Sequence, residues 1–255
     1  MSHKFFAKTL FLGKKVYFLP QCHSTNEEAS KLLAENNEKE GTVIVSEYQI
    51  SGKGQRGNVW ESQRGKNIIT SIILKPSFVI PSSQFNLHTV CSLAIYDSLF
   101  PLLGNKLKIK WPNDIYYQDK KICGILVENS IRGNRIENSI IGIGLNVNQI
   151  DFKTENATSL KEISMEEVDR FDLLETILLH LEKRYLQLKG NQIEKLKESY
   201  LSKLYRFNEQ HIFSAYNETF LGTIKGVSEQ GKLLVEDETE LKTFDFKEIA
   251  FLRKS

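Results

Sequence analysis

The sequence predicts an α+β protein: a mixed, largely antiparallel sheet with flanking helices, followed by a small C-terminal β-barrel. Three features of the chain point there. Between residues 107 and 148 strand-like runs follow one another through tight turns, the pattern of antiparallel hairpins rather than of alternating strand and helix. Helical periodicity extends over residues 83–103 and 166–189, on either side of that region. After Tyr205 the helical period gives way to short strands with tight turns, so a domain boundary is expected near Arg206, with residues 1–205 as one domain and 206–255 as a small β domain.

Taken in order, Ser24, Thr25, Asn26 and Glu27 have the S-x-x-E spacing of a capping box, and Ala29, Leu32 and Leu33 follow at helical spacing. A helix start also presents free N–H groups to polar ligand atoms. Strands are expected at 43–48 and 67–74, and a helix at 83–103 that ends near Gly104. Residues 107–111 alternate lysine with apolar side chains, so Lys106 and Lys108 read as a solvated strand face. Residues 114–117 and 121–128 flank Gln118, Asp119 and Lys120 as a hairpin, and Arg132-Gly133-Asn134 turns the chain into a strand at 138–148. Gly142 and Gly144 inside that strand predict close backbone approach or a ligand wall. Amphipathic helices are expected at 166–189 and 192–204, then strands at 211–216, 219–227, 232–236 and 242–246.

At 255 residues the chain can bury a large core, and its net charge of +2 creates no field that would recruit nucleic acid or anionic membrane. No apolar run approaches the length of a membrane span, and the N-terminus lacks a signal-peptide core, so a cytoplasmic protein is expected. Cys22, Cys91 and Cys123 are isolated and odd in number, which fits a reducing compartment, and no Cys/His set has metal-ligand spacing.

Chemistry concentrates in two segments. Ser51 to Trp60 contains Gly52, Lys53, Gly54, Gln55, Arg56 and Gly57 directly after a strand. Glycines bring backbone N–H groups close to a ligand, and the two cations complete an anion cradle, although the spacing matches neither the Walker A nor the Rossmann pattern. Trp60 offers a flat surface for a heterocycle. In the second segment, Lys110-Trp-Pro-Asn-Asp114, cation, amide and carboxylate sit beside a rigid corner, the groups that a nucleotide–magnesium site requires. Asp114 has the alternative of a turn carboxylate, Lys121 that of a solvated hairpin pair with Lys120, and Trp111 reads as core.

In these segments the chain resembles the biotin–protein ligases that lack an N-terminal DNA-binding domain. The matching stretches are Ser24-Thr-Asn26, Glu47-Tyr-Gln49, Gly52 to Trp60, Lys110 to Asp114, Lys120 to Glu128, Gly142-Ile-Gly-Leu-Asn-Val-Asn148 and Ala157-Thr-Ser-Leu160, in the family's order over about residues 20–160. The related lipoate ligases share the catalytic fold, but their own arginine- and glycine-rich motif is absent. The resemblance implies a class II synthetase-like catalytic domain with an SH3-like cap. It implies that ATP and biotin give biotinyl-5′-adenylate, and that a lysine of a carboxylase's biotin carboxyl carrier domain then attacks the mixed anhydride. By the same resemblance Ser24, Thr25, Asn26, Gln49, Lys53, Gly54, Gln55 and Lys121 bind biotin. Trp60, Lys110 and Asn146 take ATP, Lys121, Asp114 and Arg56 act in catalysis, and Asp114 approaches Mg2+. Many members carry arginine where this chain has Gln55, so a weaker positive field over the adenylate is expected. Some relatives carry a winged helix or form dimers. Only about twenty residues precede Ser24, so no nucleic-acid partner is expected, while a homodimer stays open.

Overall fold

The structure is a computed structural model that describes residues 8–54 and 57–252. Seven strands make the first sheet: β1 (Val16–Leu19), β2 (Val43–Ser46), β3 (Ile68–Leu74), β4 (Leu107–Lys110), β5 (Asp114–Tyr117), β6 (Lys120–Arg132) and β7 (Arg135–Leu145), in the order β1-β2-β3-β7-β6-β5-β4. Only β1 and β2 pair in parallel, joined by helix α1 (Thr25–Asn36), so the expected mixed and largely antiparallel sheet is found.

Strand alternation decides which side each helix covers. On β2 and β3, Val43, Val45, Ile72 and Leu74 face the main core, which holds α2 (Phe85–Leu103), α4 (Arg170–Lys189) and α5 (Ile193–Leu201). Ile44 and Ile73 face the other way and pack with Ala29 of α1 and Ile140 of β7. Gly142 and Gly144 share the face of Ile140, so β7 presents bare backbone on the α1 side.

A second sheet follows, with β8 (Gln210–Ala215), β9 (Glu218–Val227), β10 (Leu233–Glu236), β11 (Leu241–Phe244) and β12 (Ile249–Phe251) in the order β11-β10-β9-β8-β12, all antiparallel. It is fastened to the first. Trp111 Nε1 donates to the Gly231 carbonyl at 2.8 Å, and the Trp111 and Phe246 rings meet edge-on at 5.2 Å.

Several expectations are corrected. Strand β1 escaped notice because it is four residues long and only half-buried at the sheet edge. The expected helix at 166–189 begins at Arg170, because Asp169 accepts from the Phe171 and Asp172 N–H groups and caps it there. A short helix, α3 (Leu160–Ser164), precedes it, capped by Ser159. The capping box at Ser24 does not form. Ser24 occupies the N-cap position without a side-chain cap bond, and Glu27 pairs with Lys53 instead. Finally, helix α2 with its flanks is long and apolar enough to cross a membrane by length and composition, although two thirds of that window (67%) is buried inside the fold. Its apolar surface is spent on the core against α4, α5 and β4.

Candidate functional site

The glycines of β7 set the floor of a cleft of about 400 Å3. A Cβ on Gly142 would lie 2.5 Å from Asn26 Oδ1, and one on Gly144 would lie 2.4 Å from the Trp60 ring. Side chains from α1 and from the glycine segment therefore rest directly on backbone, which only glycine permits.

The deep end is neutral and polar. Gln49 Oε1 accepts from the Thr25 N–H at 2.7 Å and from its hydroxyl at 3.1 Å, so an amide side chain satisfies a free donor at the start of α1. Ser71 Oγ lies 2.7 Å from Thr25 Oγ1 and 2.5 Å from Asn26 Oδ1, while Asn26 Nδ2 donates to Glu128 at 2.6 Å. Ser24, Thr25, Asn26, Gln49 and Ser71 are all buried, and the network holds their amide and hydroxyl groups in place.

The mouth is cationic. The glycine segment folds as a narrow hairpin: Trp60 N–H donates to Gly52 O at 2.8 Å, Gly54 N–H donates to Asn58 O at 2.6 Å, and Lys53 bridges Val59. Lys53 Nζ is 2.6 Å from Glu27 Oε1 on α1, a carboxylate that raises the lysine's pKa through a hydrogen bond. Gln55 and Arg56, expected in the cradle, lie outside the described residues. Across the cleft Lys121 Nζ pairs with Asp114 Oδ1 at 2.7 Å and stands 5.6 Å from the centre of the Trp60 ring. Gly124, three residues after Lys121, leaves room for this lysine, since a Cβ there would lie 3.1 Å from Lys121 Nζ. Lys110 Nζ donates to the Tyr116 hydroxyl at 3.1 Å and lies over the Phe251 ring.

Ten of the residues expected from sequence line this one cleft: Ser24, Thr25, Asn26, Gln49, Lys53, Gly54, Trp60, Lys110, Asp114 and Lys121. Asn146 does not. It is buried behind the wall, its N–H donating to Ile122 O and its Nδ2 to Thr158 O at 3.0 Å. Trp111, read as core, is buried and also reaches the cleft wall. The peptide bond between Trp111 and Pro112 is cis. Sequence reasoning missed Ser71 and Glu128, which orient Asn26, and Phe246 of the β11–β12 turn with Ile249 and Phe251 of β12, which close one side. Alternation along residues 68–74 places Ser71 on the glycine face; nothing local marks Phe246, Ile249 or Phe251.

Asp114 is the lone carboxylate among the described lining residues, and no group of three Asp, Glu, His or Cys that could hold a metal occurs among the described residues. Magnesium that arrives with a nucleotide needs one or two carboxylates, with phosphate oxygens and water completing the shell. The donor set fits such a delivered ion and not a resident one.

A buried pocket of neutral hydrogen-bonding groups that opens onto cations belongs with enzymes that hold a small organic acid and activate its carboxylate. The particular family follows from comparison. A sequence model of the biotin/lipoate A/B protein ligase family matches residues 18–146, and the chain belongs to that family. The bifunctional ligase/repressor BirA of Bacillus subtilis is 34% identical over 244 residues, covering 94% of this chain and 74% of that protein. The biotin–[acetyl-CoA-carboxylase] ligase of Mycobacterium tuberculosis is 26% identical over 221 residues, covering 85% of this chain and 81% of its own length. Among solved structures, the biotin protein ligase from Aquifex aeolicus in complex with biotin and ATP matches with a TM-score of 0.79 at 29% identity, over 94% of this chain and 100% of the other.

Proposed function

We infer that this chain is an ATP-dependent biotin–protein ligase. The observation that carries the assignment is the gradient along one cleft, from buried neutral donors and acceptors at Thr25, Asn26, Gln49 and Ser71 to the cations at its mouth. A ureido ring needs hydrogen-bond partners without charge, and a carboxylate about to meet a phosphate needs cations.

The catalytic unit spans 1–205, and 206–255 forms the cap whose Phe246, Ile249 and Phe251 wall the cleft. Biotin lies with its ring against Ser24, Thr25, Asn26 and Gln49 and its carboxylate toward Lys53, Gly54, Gln55 and Lys121. A biotin carboxylate oxygen attacks the α-phosphorus of ATP, and pyrophosphate leaves. Lys121 donates to the oxygens where negative charge accumulates, and Arg56 adds a second cation for the same role. Asp114 fixes the Lys121 ammonium and would hold Mg2+ carried by ATP, which would neutralise phosphate charge when bound. Trp60, Lys110 and Asn146 serve the nucleotide: Trp60 and Lys110 inside the cleft, Asn146 by holding the wall behind it. A carrier-domain lysine then attacks the carbonyl carbon, the amide bond forms, and AMP departs. A cytoplasmic location supplies ATP and keeps the three cysteines, all free and buried, reduced.

Pyrophosphate release from ATP, compared between biotin and lipoate, tests the assignment. Release with biotin alone is the expected result. Preference for lipoate would overturn it.

A further inference from the structure

Strand β4 alternates, with Leu107 and Ile109 buried and Lys108 and Lys110 on the opposite side. Its register places Lys108 opposite Tyr116, and Tyr116 in turn opposite Lys121, so these three make one row across β4, β5 and β6. Lys110, Asp114 and Gly124 make the neighbouring row, which lines the cleft. At the usual strand spacing, Lys108 stands about 10 Å from Lys121.

Lys108 does not enter the cleft. It lines an adjoining open groove of about 710 Å3 together with Lys106, Lys120, Arg206, Asp119 and Glu209. The two carboxylates are engaged, Asp119 by the Tyr205 hydroxyl and Glu209 by His211 at 3.0 Å. Lys120 reaches Glu162 at 3.3 Å, and Arg206 donates to the Leu252 carbonyl. The side chains of Lys106 and Lys108 have no hydrogen-bond or ion-pair partner among the described residues. Lys203 lies near Lys108 and adds to the positive field there, its own pKa lowered by burial and by the charges of Arg184 and Lys108, against Asp97.

We propose that Lys106 and Lys108 form the docking surface for the acceptor protein, and that this protein meets them with carboxylates flanking its target lysine. The proposal deepens the ligase assignment and rests on it. A lysine side chain is four methylenes long, so the acceptor's backbone must come to the cleft mouth and its surface must cover the adjoining face of β4. The target lysine is itself cationic, and Lys110 and Lys121 repel it. Carboxylates beside it, paired with Lys106 and Lys108, offset that repulsion and steer the encounter. The groove is open and its cations are spread from the turn before β4 across the exposed face of that strand, which suits an extended acidic surface better than a small anion.

The test separates the two half-reactions in Lys106→Glu/Lys108→Glu, with Lys106→Gln/Lys108→Gln as the milder variant. Pyrophosphate release with biotin and ATP, and capture of the activated acyl group by hydroxylamine, should stay within two-fold of wild type. Transfer to a purified acidic carrier domain that the wild type biotinylates should lose at least ten-fold in kcat/KM for the reversal and less for the glutamines, with the loss in KM. The salt dependence of wild-type transfer should flatten in both variants. Unchanged carrier transfer overturns the proposal, and so does an equal loss in pyrophosphate release, which would assign the row to the small-molecule site. Failure of the wild type to release pyrophosphate with biotin would instead sink the ligase assignment itself.

Discussion

Lys121 Nζ lies 2.7 Å from Asp114 Oδ1, yet the two side chains come from different strands of the β5–β6 hairpin, whose register shifts just where they meet. A bulge re-aims a side chain. Here it brings the lysine beside Asp114 and the Trp60 ring, with Gly124 leaving space beneath.

Replacing that lysine tests its role. Lys121→Ala should slow adenylate formation by roughly a hundred- to a thousand-fold, the usual consequence of removing one donor from a site of developing charge. The melting temperature should change little, because the pair is partly exposed. Pyrophosphate release near the wild-type rate would return Lys121 to the solvated surface.

Gly142→Ala addresses the deep pocket. The new methyl group would sit 2.5 Å from Asn26 Oδ1, and Asn26 is held by Ser71 and Glu128, so it must move as a unit with them. Biotin affinity, measured calorimetrically without ATP, should fall at least about ten-fold, equivalent to about 1.4 kcal/mol. Unaltered affinity would mean that the ligand does not use Asn26.

Glu27→Gln should loosen the glycine hairpin. Glu27 holds Lys53 at 2.6 Å in the one side-chain ion pair that joins the hairpin to α1 among the described residues. Both partners are about half exposed, so the change in adenylate dissociation should be modest, roughly two- to five-fold faster, and should fade at high salt. Equal retention at low salt would show that the ion pair does not contribute to closure.

A pH dependence of stability should come from His88. Its ring is buried between Phe85 and Phe246, its Nδ1 has no partner, and burial pushes its pKa down to about 4 from 6.5. The unfolded chain therefore binds a proton near pH 6.5 that the folded protein refuses until about pH 4, so stability falls as pH drops through that window. Between pH 7 and pH 5 the loss should be about 2 kcal/mol by urea denaturation, and His88→Leu should lack that part of the slope. Equal slopes in both proteins would exclude His88 as the source.

Much of the architecture was legible in the chain because it is written in local patterns. Strand alternation, the Arg132-Gly133-Asn134 turn and the apolar stripe of α4 each act over a few residues, and the structure contains all three. Boundaries moved where a cap outside the apolar pattern took over, as Asp169 does at the start of α4. The capping box at Ser24 failed for a different reason. Its glutamate had a competing partner at Lys53, which no local spacing reveals.

By itself the sequence determined the cleft's chemical vocabulary: which residues are cationic, which are neutral amides, and where glycine lets backbone come close. The tertiary structure alone decided how those residues are shared out. It placed Ser71 and Glu128 behind Asn26, set Asn146 into the wall behind the cleft, and brought Phe246 and Phe251 from the far end of the chain to the mouth. Local pattern reports the face of one element, whereas these contacts depend on how two sheets dock through Trp111 and Gly231, residues separated by 120 positions. Interactions over that span are fixed by burial and hydrogen-bond satisfaction in the folded molecule, and they leave no periodic signal along the chain.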